Sequence, residues 1–304
     1  MKIANRMEKL APSLTLSITA LANELKAAGK DILSFSAGEP DFDTPQVVKD
    51  AAIKAINEGK TKYTAVEGIK ETKQAIINKL KKDHNLDYTL DKIVISNGAK
   101  HSLFNLAQAL IDEGDEVIIP SPYWVTYPEL VVYSGGVPVF IETDESTEFK
   151  ITAKQLKEKI TPKTKILMLN SPSNPTGSIY SKDELLAIGE VLKGTDIVVL
   201  SDEMYEKLIY KGKKFTATAE VSPDMYNRTV TINGLSKSVA MTGWRFGYVA
   251  CPNSALAKAM SKLQGQVTSN VNSMTQYAAI VALEGEANKD IEMMRVEFEK
   301  RKDY

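Results

Sequence analysis

The chain has 304 residues, of which 43% are hydrophobic and 25% charged, and its formal net charge is −1. Such a chain is long enough for one sizeable hydrophobic core and part of another, and its balanced charge excludes the basic footprint of a nucleic-acid-binding protein. The only cysteine, Cys251, cannot form an internal disulfide, and no apolar run approaches the roughly 18 residues that cross a bilayer. The sequence therefore predicts a cytoplasmic protein with no nucleic-acid or membrane partner.

Seven short apolar runs have the length and composition of β-strands. They cover residues 92–96, 116–120, 137–142, 165–169, 197–200, 229–233 and 246–251. Most are separated by stretches of helical spacing or length, such as 101–112, 123–133 and 181–193. Strands that alternate with helices predict an α/β fold with a mainly parallel sheet covered by helices on both faces.

Polar residues follow two of the central runs. The run 165–169 leads into Asn170-Ser-Pro-Ser-Asn-Pro-Thr-Gly177, where the density of Pro, Asn and Gly predicts a rigid turn that aims one side chain, and we select Asn174. The run 197–200 leads into Ser201-Asp-Glu-Met-Tyr205. Carboxylates at this end of a parallel strand lie in the crevice where open α/β sheets bind ligands. We expect Asp202 to face a ligand there, and a solvated acidic loop is the alternative.

A lysine and an arginine follow the sixth run in the segment Ser236-Lys-Ser-Val-Ala-Met-Thr-Gly-Trp-Arg245. A lysine amine attacks a carbonyl only when it is deprotonated, and its ordinary pKa of about 10.4 leaves little free amine at neutral pH. Burial and the cationic Arg245 would lower the pKa of Lys237, and the guanidinium would bind phosphate oxygens. This pattern predicts an aldehyde cofactor that carries a phosphate, namely pyridoxal phosphate. By itself Lys237 would read more simply as a solvated lysine.

These segments, with Ser36-Ala-Gly-Glu-Pro-Asp-Phe42 and Ser121-Pro-Tyr-Trp124, resemble class I pyridoxal-phosphate aminotransferases of fold type I, and within them the aspartate aminotransferase branch. The resemblance runs in unbroken order from about Leu14 to the last residue. It implies a seven-stranded sheet whose last strand is antiparallel. It also implies an N-terminal arm and part of a small domain at 1–44, a large cofactor-binding domain at 45–286 and the start of an interdomain helix at 287–304.

The resemblance further implies roles for individual residues. Lys237 would form the internal aldimine with pyridoxal 5'-phosphate and then serve as the base and acid of the proton shift. The other cofactor contacts would come from Asp202 at the pyridine nitrogen, Tyr205 and Asn174 at the ring oxygen, Trp124 on the ring face, Tyr63 of a neighbouring subunit, and Ser236, Arg245 and the backbone of Gly98, Ala99 and Lys100 at the phosphate. Gly38, Trp124, Asn174 and Lys100 would contact the substrate, and the peptide bonds before Pro122 and Pro175 would be cis.

The implied reaction is transamination between an L-amino acid, in the first place aspartate, and a 2-oxo acid such as 2-oxoglutarate. Lys100 favours a dicarboxylic substrate, because the matching lysine in part of this branch contacts a distal carboxylate; a solvated lysine in the first helical turn is the alternative. Aromatic amino acids, prephenate and an elimination reaction stay open as alternatives. A non-catalytic cofactor-binding module would need a helix-turn-helix region ahead of the fold, and the family pattern begins too early in this chain to leave room for one.

The role of Tyr63 implies a homodimer. Family members usually continue beyond the point where this chain stops, and that part carries an arginine that pairs with the substrate α-carboxylate. We therefore expect a fragment that binds the cofactor through Lys237 and transaminates poorly. The two histidines are too few for a histidine metal site: His84 is predicted in a solvated loop and His101 at a helix start, and no metal is expected.

Overall fold

The computed structural model describes residues 1–35, 38–210 and 212–304, and within these ranges seven β-strands form one sheet. The strands are β1 (Ile93–Asn97), β2 (Glu116–Ser121), β3 (Val137–Glu142), β4 (Thr164–Asn170), β5 (Val198–Asp202), β6 (Thr229–Gly234) and β7 (Phe246–Ala250). The helices are α1 (Asn5–Glu8), α2 (Leu14–Ala27), α3 (Gln46–Asn57), α4 (Lys70–His84), α5 (Ala99–Leu110), α6 (Thr126–Tyr133), α7 (Ala153–Lys159), α8 (Lys182–Leu192), α9 (Pro223–Arg228), α10 (Ser254–Val267), α11 (Ser273–Glu284) and α12 (Asn288–Asp303). Short 3-10 helices lie at Leu90–Lys92, Glu145–Thr147 and Thr218–Glu220.

The strand order in the sheet is β1-β7-β6-β5-β4-β2-β3. The strands β2 to β6 pair in parallel, whereas β7 is antiparallel to both of its neighbours, β1 and β6. The predicted mainly parallel sheet and its antiparallel last strand are confirmed. Some strands extend further than predicted, because the prediction stopped where polar side chains end an apolar run. Thus β5 continues to Asp202, because the Asp202 backbone still pairs with Asn170 of β4 and Ile232 of β6.

Helices cover both faces of the sheet, because alternate side chains of each strand point to opposite faces. On one face, Val94 and Leu200 pack in a cluster with α5, α6 and α10. On the other face, Ile95 packs with α3, α4 and α11, and Leu167 packs with α8 and α9. Because the central strands β4, β5 and β6 are parallel, their polar carboxyl ends meet at one edge of the sheet and form the cleft described below.

The two ends of the chain are less buried than the sheet. In α2 only Ala22 is buried, although the helix carries the exposed apolar residues Leu14, Leu16, Ile18 and Leu21. The charged run at 290–303 lies in α12, as predicted, and this helix buries Ile291 and Met294. Within the described ranges, none of the helices combines the length and the apolar character that crossing a bilayer requires.

The prediction that His84 lies in a solvated loop is wrong. His84 is the last residue of α4, which ends at Asn85 in a left-handed conformation, and its side chain is only 7% exposed. Its Nε2 lies 2.9 Å from Glu206 and its Nδ1 lies 3.3 Å from Glu220. The basic and amidic run around it resembles a loop, but the partners that bury the imidazole come from distant parts of the chain. His101 lies in the first turn of α5, as predicted.

Candidate active site

A cleft of about 700 Å³ opens at the carboxyl ends of β4, β5 and β6 and at the start of α5. Parallel α/β sheets bind ligands at this edge. The residues that line the cleft are Thr15, Phe35, Gly38, Glu39, Ala99, Lys100, Tyr123, Trp124, Val125, Tyr127, Asn170, Asn174, Pro175, Asp202, Met204, Tyr205, Ser236, Lys237, Thr242 and Arg245. The structure thus brings together in one cavity almost every residue that the sequence singles out.

Lys237 lies in the loop that follows β6, and its Nζ donates a hydrogen bond to the Gly38 carbonyl at 2.5 Å. Burial lowers the pKa of Lys237; Glu39 opposes this effect and the Arg245 guanidinium adds to it. The two causes predicted from the sequence, desolvation and Arg245, are therefore present. A lowered pKa raises the fraction of neutral amine, which is the form that acts as a nucleophile or as a base.

Asp202 ends β5 with its carboxylate in the cleft and is only 4% exposed. Tyr127 donates its hydroxyl to Oδ2 at 2.7 Å, and the Met204 amide donates to Oδ1 at 3.2 Å. Burial raises the pKa of Asp202, although both hydrogen bonds oppose the shift. Among the described residues no lysine or arginine forms an ion pair with this carboxylate. A protonated ring nitrogen from a ligand would supply the missing positive charge.

Tyr127 is a site residue that sequence reasoning missed. It lies in the first turn of α6, three residues after Trp124, and its ring meets the Trp124 ring edge-on at 5.6 Å. Its partner Asp202 lies 75 residues further along the chain. Trp124 lies before the start of α6, so helical spacing does not relate the two residues, and no local pattern pointed to Tyr127.

Asn174 and Tyr205 lie side by side, with 3.5 Å between Asn174 Nδ2 and the Tyr205 hydroxyl. The backbone N–H of Asn174 donates a hydrogen bond to Asn170 Oδ1 at 2.6 Å, which holds the turn closed. Burial raises the pKa of Tyr205 to about 12, so the phenol keeps its proton as a donor at neutral pH. The predicted cis peptide bonds before Pro122 and Pro175 are confirmed, and the bond before Pro172 is cis as well.

A second part of the cleft is shaped for an anion. Gly98 caps α5 with φ +83°, and a Cβ at this residue would lie 2.5 Å from Arg245 Nη2. Arg245 itself is held by a 2.8 Å hydrogen bond from Nη1 to the Thr242 carbonyl. The amides of Ala99 and Lys100 belong to the first turn of α5, where N–H groups have no acceptor within the helix. A phosphate at this point would meet a guanidinium and unpaired amides together.

The anion site formed by Gly98, Ala99, Lys100 and Arg245 is called the cradle below. Lys100 and Trp124 form the wall of the cleft beside this cradle. The Lys100 Nζ lies 4.9 Å from the centre of the Trp124 ring. Burial lowers the pKa of Lys100, and Arg245 adds to the effect. Ser236, only 8% exposed, lines the same cleft next to Lys237.

Some predicted residues lie elsewhere. Tyr63 is 90% exposed and does not line the cleft of its own chain. Ser36 and Ala37 of the N-terminal motif lie outside the described residues. In contrast, Glu39 was not selected from the sequence, yet it lines the cleft and accepts a hydrogen bond from the Thr242 hydroxyl.

The residues of the cleft fit pyridoxal phosphate on structural grounds. The missing Cβ of Gly98 lets the Arg245 guanidinium approach the start of α5, where this cation is suited to a phosphate. Asp202 is a buried carboxylate that has no cationic partner in the described part of the chain, and it is suited to a pyridinium. Lys237 offers an amine whose pKa is lowered, suited to an aldehyde. The three groups match the three functional parts of that one molecule.

Comparisons with known proteins agree with this chemistry. The family model described as aminotransferase class I and II matches residues 30–304. The chain is 54% identical to an aspartate aminotransferase of Geobacillus stearothermophilus over 301 residues, which cover 99% of this chain and 76% of the relative. It is 50% identical to an aspartate/prephenate aminotransferase of Nitrosomonas europaea, across 97% of this chain and 74% of the relative.

Solved structures are similar over the whole chain. An aspartate aminotransferase from Rhizobium meliloti superimposes with a TM-score of 0.96 at 44% identity, covering 100% of this chain and 76% of that one. An aspartate aminotransferase from Thermus thermophilus with maleate also gives a TM-score of 0.96, at 40% identity, and the match covers 100% of this chain and 78% of that one.

Proposed function

The chain belongs to the aminotransferase class I and II family, and from this premise we propose that it transfers the amino group of L-aspartate to a 2-oxo acid such as 2-oxoglutarate. The observation that carries the proposal is the meeting of Lys237, Asp202 and Arg245 in one cleft. The two relatives described above are named for aspartate. The cofactor of this family of enzymes is pyridoxal phosphate.

The cofactor supplies an aldehyde that condenses with amines and a protonated ring that draws electrons from the substrate α-carbon. We infer that Asp202, oriented by Tyr127, holds the ring nitrogen protonated. Asn174 and Tyr205 would donate hydrogen bonds to the ring oxygen. Trp124 would cover one ring face, since a large flat side chain fixes orientation at little cost in entropy.

The phosphate would lie in the cradle at the start of α5. Arg245 and Ser236 would bind its oxygens through their side chains, and Gly98, Ala99 and Lys100 would bind them through the backbone. The support is the close approach of the Arg245 guanidinium to Gly98. A charged anchor at this point would leave Asp202 and Lys237, which line the same cleft, to contact the ring nitrogen and the aldehyde.

Lys237 Nζ is the group we assign to the proton transfers. In its neutral form it would take the proton from the α-carbon of the amino acid, and as the ammonium it would give the proton back. Burial lowers the pKa of Lys237, which raises the fraction of neutral amine. The Gly38 carbonyl, 2.5 Å from Nζ, restricts where the amine can point.

For the substrate we propose a dicarboxylic amino acid. Lys100 would pair with the distal carboxylate and Gly38 would lie against the α-carboxylate, while Trp124 and Asn174 border the same space. Prephenate is a second candidate, because one close relative is named for both aspartate and prephenate. Lys100 above the Trp124 ring suits either substrate, since both carry a second carboxylate.

We also propose a homodimer in which Tyr63 reaches the cofactor phosphate of the other subunit. The support is the 90% exposure of this tyrosine and its absence from the cleft of its own chain.

We retain the division into an arm at 1–44, a cofactor-binding domain at 45–286 and an interdomain helix from 287. A cytoplasmic location belongs to the same proposal, supported by the free and buried Cys251.

The test is a set of half-reactions on the cofactor-loaded chain, followed by absorbance, with aspartate, glutamate, phenylalanine and prephenate-derived amino acid as donors. We expect aspartate to convert the cofactor fastest, Lys237→Ala to abolish conversion and Lys258→Ala, which changes a lysine of α10 outside the cleft, to leave it unchanged. Equal conversion by the Lys237→Ala protein would refute the assignment. Faster conversion with the prephenate-derived donor would favour the second candidate.

A further inference from the structure

We propose that four charged residues, Lys79, His84, Glu206 and Glu220, form a positioning unit that fixes the Tyr205 side chain in the cleft. We call these four residues the Glu206 cluster. The inference rests on the proposed function, because it assigns to the cluster an effect on the cofactor contact of Tyr205.

The four residues of the Glu206 cluster do not line the cleft that contains Tyr205. Glu206 Oε1 lies 2.5 Å from Lys79 Nζ, and its Oε2 lies 2.9 Å from His84 Nε2. His84 Nδ1 in turn lies 3.3 Å from Glu220 Oε2. The cluster therefore joins the end of α4, the turn after β5 and the 3-10 helix Thr218–Glu220.

The turn that carries Tyr205 is anchored on both sides of this residue. After it, Glu206 is held by the cluster, and Lys207 Nζ forms a 2.7 Å ion pair with Asp83 of α4. Before it, the buried Glu203 accepts hydrogen bonds from the Ser201 hydroxyl and the Thr218 amide, both at 3.0 Å. The backbone of residues 203–207 therefore has little freedom, and the direction of the Tyr205 side chain follows from the backbone.

The hydrogen bond made by the Tyr205 hydroxyl is too weak to determine the position of this side chain. Its described partner is Asn174 Nδ2 at 3.5 Å, the outer limit of a hydrogen bond. A phenol that must meet a ring oxygen within a few tenths of an ångström needs another source of position. The anchored backbone provides it.

The cluster is costly to bury, which argues for a purpose beyond packing. Lys79 and Glu206 have side chains only 9% and 4% exposed, and buried ion pairs usually contribute little net stability compared with apolar residues. In some proteins such pairs instead select one arrangement of the elements that they join, and we assign this role to the Glu206 cluster. Asp83, His84 and Glu206 lie close enough to bind a metal, but Lys79 and Lys207 already balance their charges.

The experiment compares two buried lysines. Lys79 and Lys150 are each 9% exposed and each pair with two carboxylates, but Lys150 pairs with Glu148 and Glu184 and not with the Tyr205 turn. The bound cofactor absorbs light and serves as the chromophore. We measure its absorbance as a function of pH, which gives the chromophore pKa, in Lys79→Met, Lys150→Met and Tyr205→Phe. A phenol that donates to the ring oxygen stabilises the deprotonated chromophore, so its loss raises the chromophore pKa.

We expect Lys79→Met to raise the chromophore pKa by about half a unit or more, in the direction of Tyr205→Phe. Lys150→Met is expected to leave it unchanged. Adding Lys79→Met to Tyr205→Phe should cause no further shift, because the contact is already lost. Equal titrations for the two lysine variants, or additive shifts in the double variant, would overturn the proposal. If Lys79→Met does not fold, Glu206→Gln, which keeps the side-chain shape, takes its place under the same criteria.

A second measurement needs no cofactor. Hydrogen exchange of the segment 203–208 should accelerate in Lys79→Met and stay unchanged in Lys150→Met. If wild-type protein showed no cofactor chromophore, the proposed function would fail, and the exchange result would still decide whether the cluster fixes the turn. Unchanged exchange in Lys79→Met would then overturn the positioning unit by itself.

Discussion

Removing His84 should change how the stability of the protein depends on pH. Burial by itself would lower the pKa of His84, but hydrogen bonds with Glu206 and Glu220 outweigh it and raise the pKa from 6.5 to about 9. A raised pKa means that the folded protein binds the proton more tightly than the unfolded chain. The stabilisation is therefore fully present below pH 6.5 and is lost as the pH rises through 9.

The size of the effect follows from the same shift. Each pKa unit corresponds to about 1.4 kcal/mol, so the proton on His84 contributes up to about 3 kcal/mol to the free energy of unfolding. The conversion needs little reduction for solvent screening, because the His84 side chain is 7% exposed. The free energy of unfolding should fall by roughly 1 kcal/mol per pH unit between pH 7 and 9.

The assay is urea denaturation of cofactor-free protein at a series of pH values from 6 to about 9.5. Burial raises the pKa of Glu203 to about 7, so that the contribution of Glu203 is lost between pH 4.5 and 7 and overlaps only the start of this range. Comparison of wild type with His84→Gln isolates the histidine, and His101→Gln is the matched control because burial lowers the pKa of His101. Identical slopes for wild type and His84→Gln above pH 7 would refute the reasoning.

Three further predictions concern the cleft. Gly98→Ala should weaken pyridoxal phosphate binding in fluorescence titrations by roughly tenfold or more, because the new Cβ enters the space of Arg245, whereas Gly29→Ala, at a similar positive φ with nothing within 4 Å, should bind normally. Normal binding by Gly98→Ala would contradict the cradle. Tyr127→Phe should lower kcat/KM by roughly tenfold or more through loss of its 2.7 Å hydrogen bond to the Asp202 carboxylate, and an unchanged value would remove Tyr127 from the site. Lys100→Met should raise KM for aspartate by about tenfold and leave KM for phenylalanine unchanged; equal effects on both would refute its role at the distal carboxylate.

The sheet could be predicted from the sequence because each strand corresponds to a short, contiguous sequence pattern. Apolar runs such as 229–233 and 165–169 are short, β-branched and bounded by polar residues, and each became a strand within two residues of its predicted bounds. The ends were less certain, since backbone pairing continues past the apolar side chains, as at Asp202. Position in a local pattern therefore predicts a strand better than it predicts where the strand stops.

The residues of the candidate site could likewise be predicted only where they belong to a local sequence motif. Lys237, Asp202 and Asn174 each follow a strand in a recognisable motif, and such residues necessarily meet at one edge of a parallel sheet. Tyr127 and His84 have no motif, because their partners Asp202 and Glu206 lie 75 and 122 residues away. Contacts over such distances depend on how helices pack on the sheet, which no local pattern records.

The proposed function depends on one bond, between the Lys237 amine and the aldehyde of pyridoxal phosphate. The most direct test is borohydride reduction of the cofactor-loaded chain followed by proteolysis and mass spectrometry of the labelled peptide. We expect the phosphopyridoxyl group on Lys237 alone, in the peptide that contains Ser236. A label on another lysine, or no label after loading, would contradict the account.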